Sequence, residues 1–414
     1  MTLKIFQGAL QDDISSLEVE RLTAACLCIL FFAVLNPFLA LCLIAALSLF
    51  LRIPLLIFIT FASLSFSLFF FRREYGVEFY PGISGDDIPA YISLYLANEG
   101  LTFFNLLSRF IVAPNGNEIL WHLPWSIALN QFGISVENFV FLHYLLNFVM
   151  LFIALFFLSS RHWVILAAVY FFLTPLTVDG LTHIWRQQLA GSMFILGVGL
   201  KYRRKSRLGD WLIFITPLIH LSMLFFLSVY CLYLLMRHFG TFMHKSRFIL
   251  SMIILMGIVF IFLPSAVVFL DSLGIERISS YYNGKVDTMR LLLIFFVYAM
   301  PMLSVYLLFK TDDINRLFFV LSFSVFSIAF LLPGSSGIYD RLFLFTFPLM
   351  GIYFYRSLIC QLTARTQIIF LIAIFLLAYY RMYLPTMDGY GVMSFLANGD
   401  AFNPFIGLIN LLIS

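Results

Sequence analysis

Charged residues are scarce in this chain. Asp, Glu, Lys and Arg make up 11% of it, against roughly 25% in a soluble domain. With 62% hydrophobic residues and a mean hydropathy of +0.99, it holds more apolar side chain than a soluble fold needs. Of the five cysteines, Cys26, Cys28, Cys42 and Cys231 fall inside apolar runs and Cys360 lies just beyond one, which argues against a disulfide framework. The chain has no Gly-rich phosphate loop, no nucleotide fingerprint, no Gly-x-Ser-x-Gly and no His/Cys metal spacing. These absences argue against ATP drive and against a nucleotide-activated donor; no cofactor, metal or nucleic acid is expected, and a substrate must arrive already activated in the membrane. The stretch Thr2 to Glu20 is polar and acidic and precedes the first apolar run, so a cleaved secretory signal is not expected. No internal repeat or heptad pattern is evident.

What is abundant is apolar sequence in lengths that suit a bilayer. Runs recur at about 22–35, 38–51, 54–71, 139–158, 163–178, 187–200, 208–219, 221–236, 248–270, 291–309, 316–332, 341–356 and 367–384. Most are near the roughly 20 residues that span a hydrocarbon core as a helix. The expected fold class is all-α: a polytopic transmembrane helix bundle of about 11–13 spans. Residues 1–414 would form a single transmembrane domain, with a large outer (periplasmic) loop at 72–138 carrying interfacial helices. Two runs are interrupted, 22–51 by Asn36-Pro37 and 208–236 by Pro217. Short broken segments of this kind can re-enter the membrane where protein buries them.

Basic residues mark the cytoplasmic side. The densest cluster is Lys201, Arg203, Arg204, Lys205 and Arg207. Alternating outward from it places Arg52, Arg161, the Arg237 to Arg247 loop, Lys310/Arg316 and Arg356/Arg365 on the same inner side, with Arg72 and Arg73 as the exception. The outer side then receives most of the acidic residues and the long segment 72–138. Its turn-rich stretch Tyr80 to Asp87 leads into an aromatic apolar stripe of Ile88, Tyr91, Tyr95, Leu101, Phe104 and Leu107, expected as a helix lying on the outer leaflet.

Polar groups at membrane depth are costly, so those near helix ends carry the functional argument. Four groups stand out, all on the outer side. Asp179 to Gln188 leads into an apolar helix, with His183 and Gln187 flanking Arg186; a guanidinium at a helix N-terminus can hold phosphate through paired donors. The structural alternative is an arginine that snorkels or pairs with Asp179. Asp86 and Asp87 precede Tyr91, where a carboxylate can accept a sugar hydroxyl proton and an aromatic ring can stack on sugar; a helix cap and an interface tyrosine are the alternative. His220 sits in the broken segment Pro217 to Ser222, either facing a cavity or bonded to a carbonyl as a core histidine. Tyr339, Asp340 and Arg341 open another apolar helix, where Asp340 and Arg341 could equally neutralise each other.

In order, these motifs are Asp87-(x3)-Tyr91, Arg186 to Ala190 with Gln188 in a variable place, Ile219 to Ser222, and Asp340-Arg341. The set resembles the Wzy/EpsG-like oligosaccharide repeat-unit polymerases of bacterial surface polysaccharide assembly, over roughly residues 75 to 356. The resemblance implies a glycosyltransferase, an O-antigen or exopolysaccharide polymerase of the bacterial inner membrane with its active site facing the periplasm. It would move a growing glycan from undecaprenyl pyrophosphate onto the sugar hydroxyl of a second lipid-linked repeat unit. Implied partners are undecaprenyl-pyrophosphate-linked oligosaccharides, membrane lipid and a chain-length regulator protein. On this reading Arg186 and Arg341 clamp the donor pyrophosphate, and Asp87 or His220 takes the acceptor proton. Asp86, Tyr91, His183, Gln187, Tyr339 and Asp340 contact substrate. Two rivals remain open: another polyprenyl-lipid-dependent glycosyltransferase or O-antigen ligase, and a flippase or transporter of lipid-linked sugar.

Overall fold

The computed structural model describes residues 37–49, 55–71, 88–98, 100–112, 119–159, 163–172, 185–238, 295–309, 311–331 and 336–383. All regular structure among them is helical, in agreement with the all-α expectation. The early helices are α1 (Pro37–Leu47), α2 (Leu55–Phe71), α3 (Ile88–Leu96), α4 (Phe103–Val112) and α5 (Ile119–Asn130). The central ones are α6 (Val136–Leu158), α7 (Trp163–Phe172), α8 (Trp185–Arg204), α9 (Leu208–Ile215) and α10 (Met223–His238). The last four are α11 (Met300–Leu308), α12 (Asp313–Leu331), α13 (Ser336–Ser357) and α14 (Ala364–Tyr383). A 3-10 turn, Thr216–Leu218, joins the end of α9.

Helix α6 is the backbone of the arrangement, and its local sequence explains why. Ser135 caps its start, accepting the Asn138 N–H at 3.3 Å; Glu137 complements the dipole, and no Gly or Pro follows. Its 23 residues reach about 35 Å, enough for a hydrocarbon core of about 30 Å. Among the described residues it is the one helix both long and apolar enough to cross a membrane; the segments Phe58–Ser67, Leu208–Leu218, Met223–His238 and Ala364–Ala373 are apolar but shorter.

Helix α8 lies along α6 in the same direction. Trp185 meets His143 and Tyr144 at one end, and Gly199 meets Phe157 near the other. Glycine allows this closeness: a Cβ on Gly199 would come within 2.9 Å of the Phe157 backbone. A second seam joins α8 to α9, where a Cβ on Gly209 would fall 2.6 Å from the Lys201 nitrogen. Helix α13 runs the same way again, since Phe345 packs on Gly191 and Phe194 while Arg356 reaches Leu158. Helix α2 runs opposite to α6, with Phe58 on Phe152 and Phe66 on Phe148.

The C-terminal ends of α6, α8, α10 and α13 therefore gather at one end of the molecule. Lys201 bonds Asp210 at 2.6 Å, Arg237 bonds Asp313 at 2.8 Å, and Arg356 bonds Asp312. Arg356 also donates to Asn315 Oδ1 at 2.9 Å and to the Leu158 carbonyl at 2.7 Å, capping the last turn of α6. Lys201, Arg237 and Arg356, assigned to one face from sequence, thus share one end of the described bundle.

Two sequence expectations are refined. The interrupted run 208–236 is a hairpin: α9 leaves the basic end, breaks at Thr216 to Ser222, and α10 returns to it. The aromatic stripe of 88–107 is split, because Tyr91 and Tyr95 are buried against protein while Phe103 and Phe104 face outward.

Gly199→Val and Gly209→Val should each lower the midpoint of thermal unfolding in detergent, with a cost of about 1–3 kcal/mol from overpacking. An unchanged midpoint in both would remove the glycine seams as the reason the helices pack. Arg356→Met should cost about 2 kcal/mol, the order of a hydrogen bond to a charged group. The same melts check it, and a neutral Arg356→Met would refute the cap on α6.

Candidate functional site

At the end opposite the ion pairs, three helices converge on Arg186. It occupies the second position of α8 and is half-buried between a fully buried Trp185 and a buried Gln187. Its Nε donates to the Tyr91 hydroxyl on α3 at 2.8 Å, and its carbon Cζ lies 4.9 Å above the Tyr91 ring. Its Nη1 lies 3.2 Å from His122 Nε2 on α5. The other ring nitrogen, Nδ1, lies 3.2 Å from the Tyr95 hydroxyl, one turn beyond Tyr91.

Why these elements meet follows from their sequences. Helix α3 presents Tyr91 and Tyr95 one turn apart along the face that meets α5, and Asn98 follows in the turn after it. Asn130 donates to the Tyr95 carbonyl at 3.0 Å, and Asn98 donates to Ser126 Oγ at 3.4 Å, so side-chain amides hold α3 and α5 together. Helix α5 then meets α6 and α8 through an aromatic stack. His143 lies between Trp125, with centroids 3.8 Å apart, and Trp185 at 4.7 Å, both rings tilted 28° from it. It donates Nδ1–H to the Phe139 carbonyl at 2.8 Å. Trp121 closes the group, 4.9 Å from His143 and 6.1 Å from Tyr91.

This floor of the site is closely packed and carries buried polar atoms. Trp121 Nε1, Trp185 Nε1, His143 Nε2 and Asn147 Oδ1 are buried without a hydrogen-bond partner among the described residues. Such orphans cost about 1–3 kcal/mol each and concentrate where function demands them. Gln188, in the variable place of its motif, is anchored instead, donating to the Tyr170 hydroxyl at 3.0 Å.

His220 lies in the turn between the 3-10 segment and α10, and it is buried. The Ser222 backbone N–H donates to its Nδ1 at 3.3 Å, and the Ser222 hydroxyl lies 2.7 Å from the same nitrogen. An acceptor at Nδ1 leaves the proton of the neutral ring on Nε2. The 3-10 turn beneath it packs on α8 and α5, bringing the hairpin tip to the Arg186 end.

Tyr339, Asp340 and Arg341 fall in the first two turns of α13. Because α13 runs parallel to α8, the backbone at Arg341 starts from the same end as Arg186. Asp86, Asp87, Asp179 and His183 lie outside the described residues. Among the described residues no group of His, Cys, Asp and Glu could hold a metal ion.

Sequence reasoning missed His122, Tyr95, Trp121, Trp125, His143 and Trp185. A signal was present in Leu120-Trp-His-Leu-Pro-Trp125, two tryptophans bracketing a histidine within a supposed loop. Its importance depends on a contact to Arg186 that lies 64 residues further along the chain.

No curated protein and no solved structure matches the chain. Residues 59–396 match the EpsG family, a span that includes most of α2 and all of α3 through α14, with the aromatic floor and Arg186; the chain belongs to the EpsG family.

Proposed function

We propose that this protein is a multi-pass membrane glycosyltransferase that polymerises undecaprenyl-pyrophosphate-linked oligosaccharide repeat units, an O-antigen or related surface-polysaccharide polymerase. Membership of the EpsG family supports a role in polysaccharide assembly at a membrane. The observation that carries the reading is Arg186: a half-buried guanidinium at the start of an apolar helix, seated by Tyr91 and His122, at the end away from the ion-paired basic residues. The single transmembrane domain would place this end at the outer face of the bacterial inner membrane, with the loop 72–138 periplasmic. A chain-length regulator would be a partner there.

In the proposed reaction the acceptor sugar hydroxyl attacks the anomeric carbon of the donor glycan. The bond from that carbon to the pyrophosphate oxygen breaks, undecaprenyl pyrophosphate leaves with the electron pair, and Asp87 takes the hydroxyl proton. Arg186 and Arg341 stabilise the charge growing on the leaving group, a preorganised electrostatic role. His220, with its proton on Nε2, serves as a donor to an oxygen of donor or acceptor. Tyr91 acts by seating Arg186, and Asp86, His183, Gln187, Tyr339 and Asp340 line the path of the substrate.

The test is a surface-polysaccharide gel from a deletion strain complemented with wild type, Arg186→Ala, Arg186→Lys and Arg341→Ala. Wild type should restore a ladder of repeat units. Each alanine variant should leave a single unit, with polymerisation reduced about 100-fold or more, as for loss of one oxyanion donor. Arg186→Lys should also fail, because an ammonium cannot reproduce the guanidinium fork. A full ladder from Arg186→Lys counts against the phosphate clamp. Repeat units stranded on the inner leaflet of the deletion strain would indicate transport, and free polymer on its lipid carrier would indicate a ligase.

A further inference from the structure

We infer that His122 is a positioning residue for Arg186: a neutral imidazole, protonated at Nδ1, whose Nε2 holds the guanidinium in the orientation that faces the donor phosphates. The inference rests on the proposed role of Arg186 and supplies the residue that sets its geometry.

The protonation state follows from the partners. Arginine carries donors and no acceptor, so the 3.2 Å contact from Arg186 Nη1 makes His122 Nε2 the acceptor. A neutral ring then has its proton on Nδ1, which points at the Tyr95 hydroxyl oxygen 3.2 Å away. Tyr95 is in turn fixed. Its ring is fully buried and lies edge-on to Phe139 at 5.4 Å, and its carbonyl is held by Asn130.

Two acceptors on different nitrogens define the plane of a guanidinium. Tyr91 takes the Nε–H and His122 takes an Nη1–H, and both belong to the α3–α5 unit rather than to α8. That unit therefore helps to set where the charge sits from outside the helix that carries it. Imidazole is suited to the task because it accepts a hydrogen bond without adding negative charge. The same bond occupies His122 Nε2, so abstraction of the acceptor proton is left to another group.

Purified protein in liposomes, supplied with lipid-linked repeat units extracted from the deletion strain, tests this with His122→Gln, His122→Phe and Tyr95→Phe. Gln can place a neutral carbonyl oxygen near the Nε2 position, whereas Phe keeps the ring and removes the acceptor. His122→Phe should lower kcat about 10-fold to 100-fold with KM little changed, the size of effect that misplacing a catalytic group by an ångström produces. His122→Gln should retain activity within about threefold to fivefold, the range left when an acceptor is moved and not lost. Tyr95→Phe should fall between the two. Wild-type kcat in His122→Phe, or equal loss in the Gln and Phe variants when both melt like wild type, would overturn the inference. Should His122→Phe fail to fold, an active His122→Gln with a weakened Tyr95→Phe supports it, and any other pairing overturns it. Arg186→Ala measured alongside separates the two levels. An active Arg186→Ala removes the proposed function of that arginine, whereas an inactive one beside a fully active His122→Phe removes only the role of His122.

Discussion

Arginine cannot shed its proton in a protein, so the fold around Arg186 has to supply acceptors wherever the side chain leaves water. It does so with groups from two other helices, the Tyr91 hydroxyl and His122 Nε2. Those bonds require α3 and α5 to be stapled to each other and then to α8. The amide bonds of Asn98 and Asn130 do the first, and the stack of Trp125, His143 and Trp185 does the second. Much of the packing at this end can be read as the consequence of holding one cation in place.

The two ends of the bundle treat positive charge differently. At the basic end Lys201, Arg237 and Arg356 meet Asp210, Asp313 and Asp312, so charge is cancelled and helix ends are tied together. Arg356 is the clearest case, with one donor on a carboxylate, one on an amide and one on the last carbonyls of α6. Tyr91 and His122 do something else for Arg186: they orient it without bringing a negative charge of their own. Neutral acceptors of this kind suit the proposed phosphate role, because a carboxylate in their place would compete with phosphate for the same N–H groups. The parallel run of α6, α8 and α13 keeps these two treatments apart, since it sends all three N-termini to one end and all three C-termini to the other.

Much of this was legible in sequence because it depends on local rules. Apolar periodicity located α2, α6, α8, α12 and α13, the Pro217 break located the hairpin tip, and basic clusters grouped the right helix ends. Arg186 and Tyr91 were identified as site residues, and the structure joins them directly. The parts that were not legible depend on contacts distant in the chain. Tyr95 was read as an interfacial aromatic because a helical stripe cannot say whether it faces lipid or protein; it faces His122. His122 and His143 lie in apolar sequence that resembles any amphipathic helix, and their meaning appears only once α8 is laid across them.

The two histidines at this end carry their protons on opposite nitrogens, and that asymmetry bears on which group can act as a base. His122 accepts at Nε2 and so is protonated at Nδ1; His220 accepts at Nδ1 and so is protonated at Nε2. Each lone pair is already engaged, one by Arg186 and one by Ser222. For either ring to take a proton from a sugar hydroxyl, a bond that organises the site would first have to break. A carboxylate has no such conflict, since it carries lone pairs beyond those used in any one bond. Asp86 and Asp87 stand five and four residues before Tyr91 in the sequence. On the proposed mechanism, proton abstraction therefore falls to Asp86 or Asp87 and not to either histidine. The imidazoles keep their existing hydrogen bonds, one toward Arg186 and one toward Ser222.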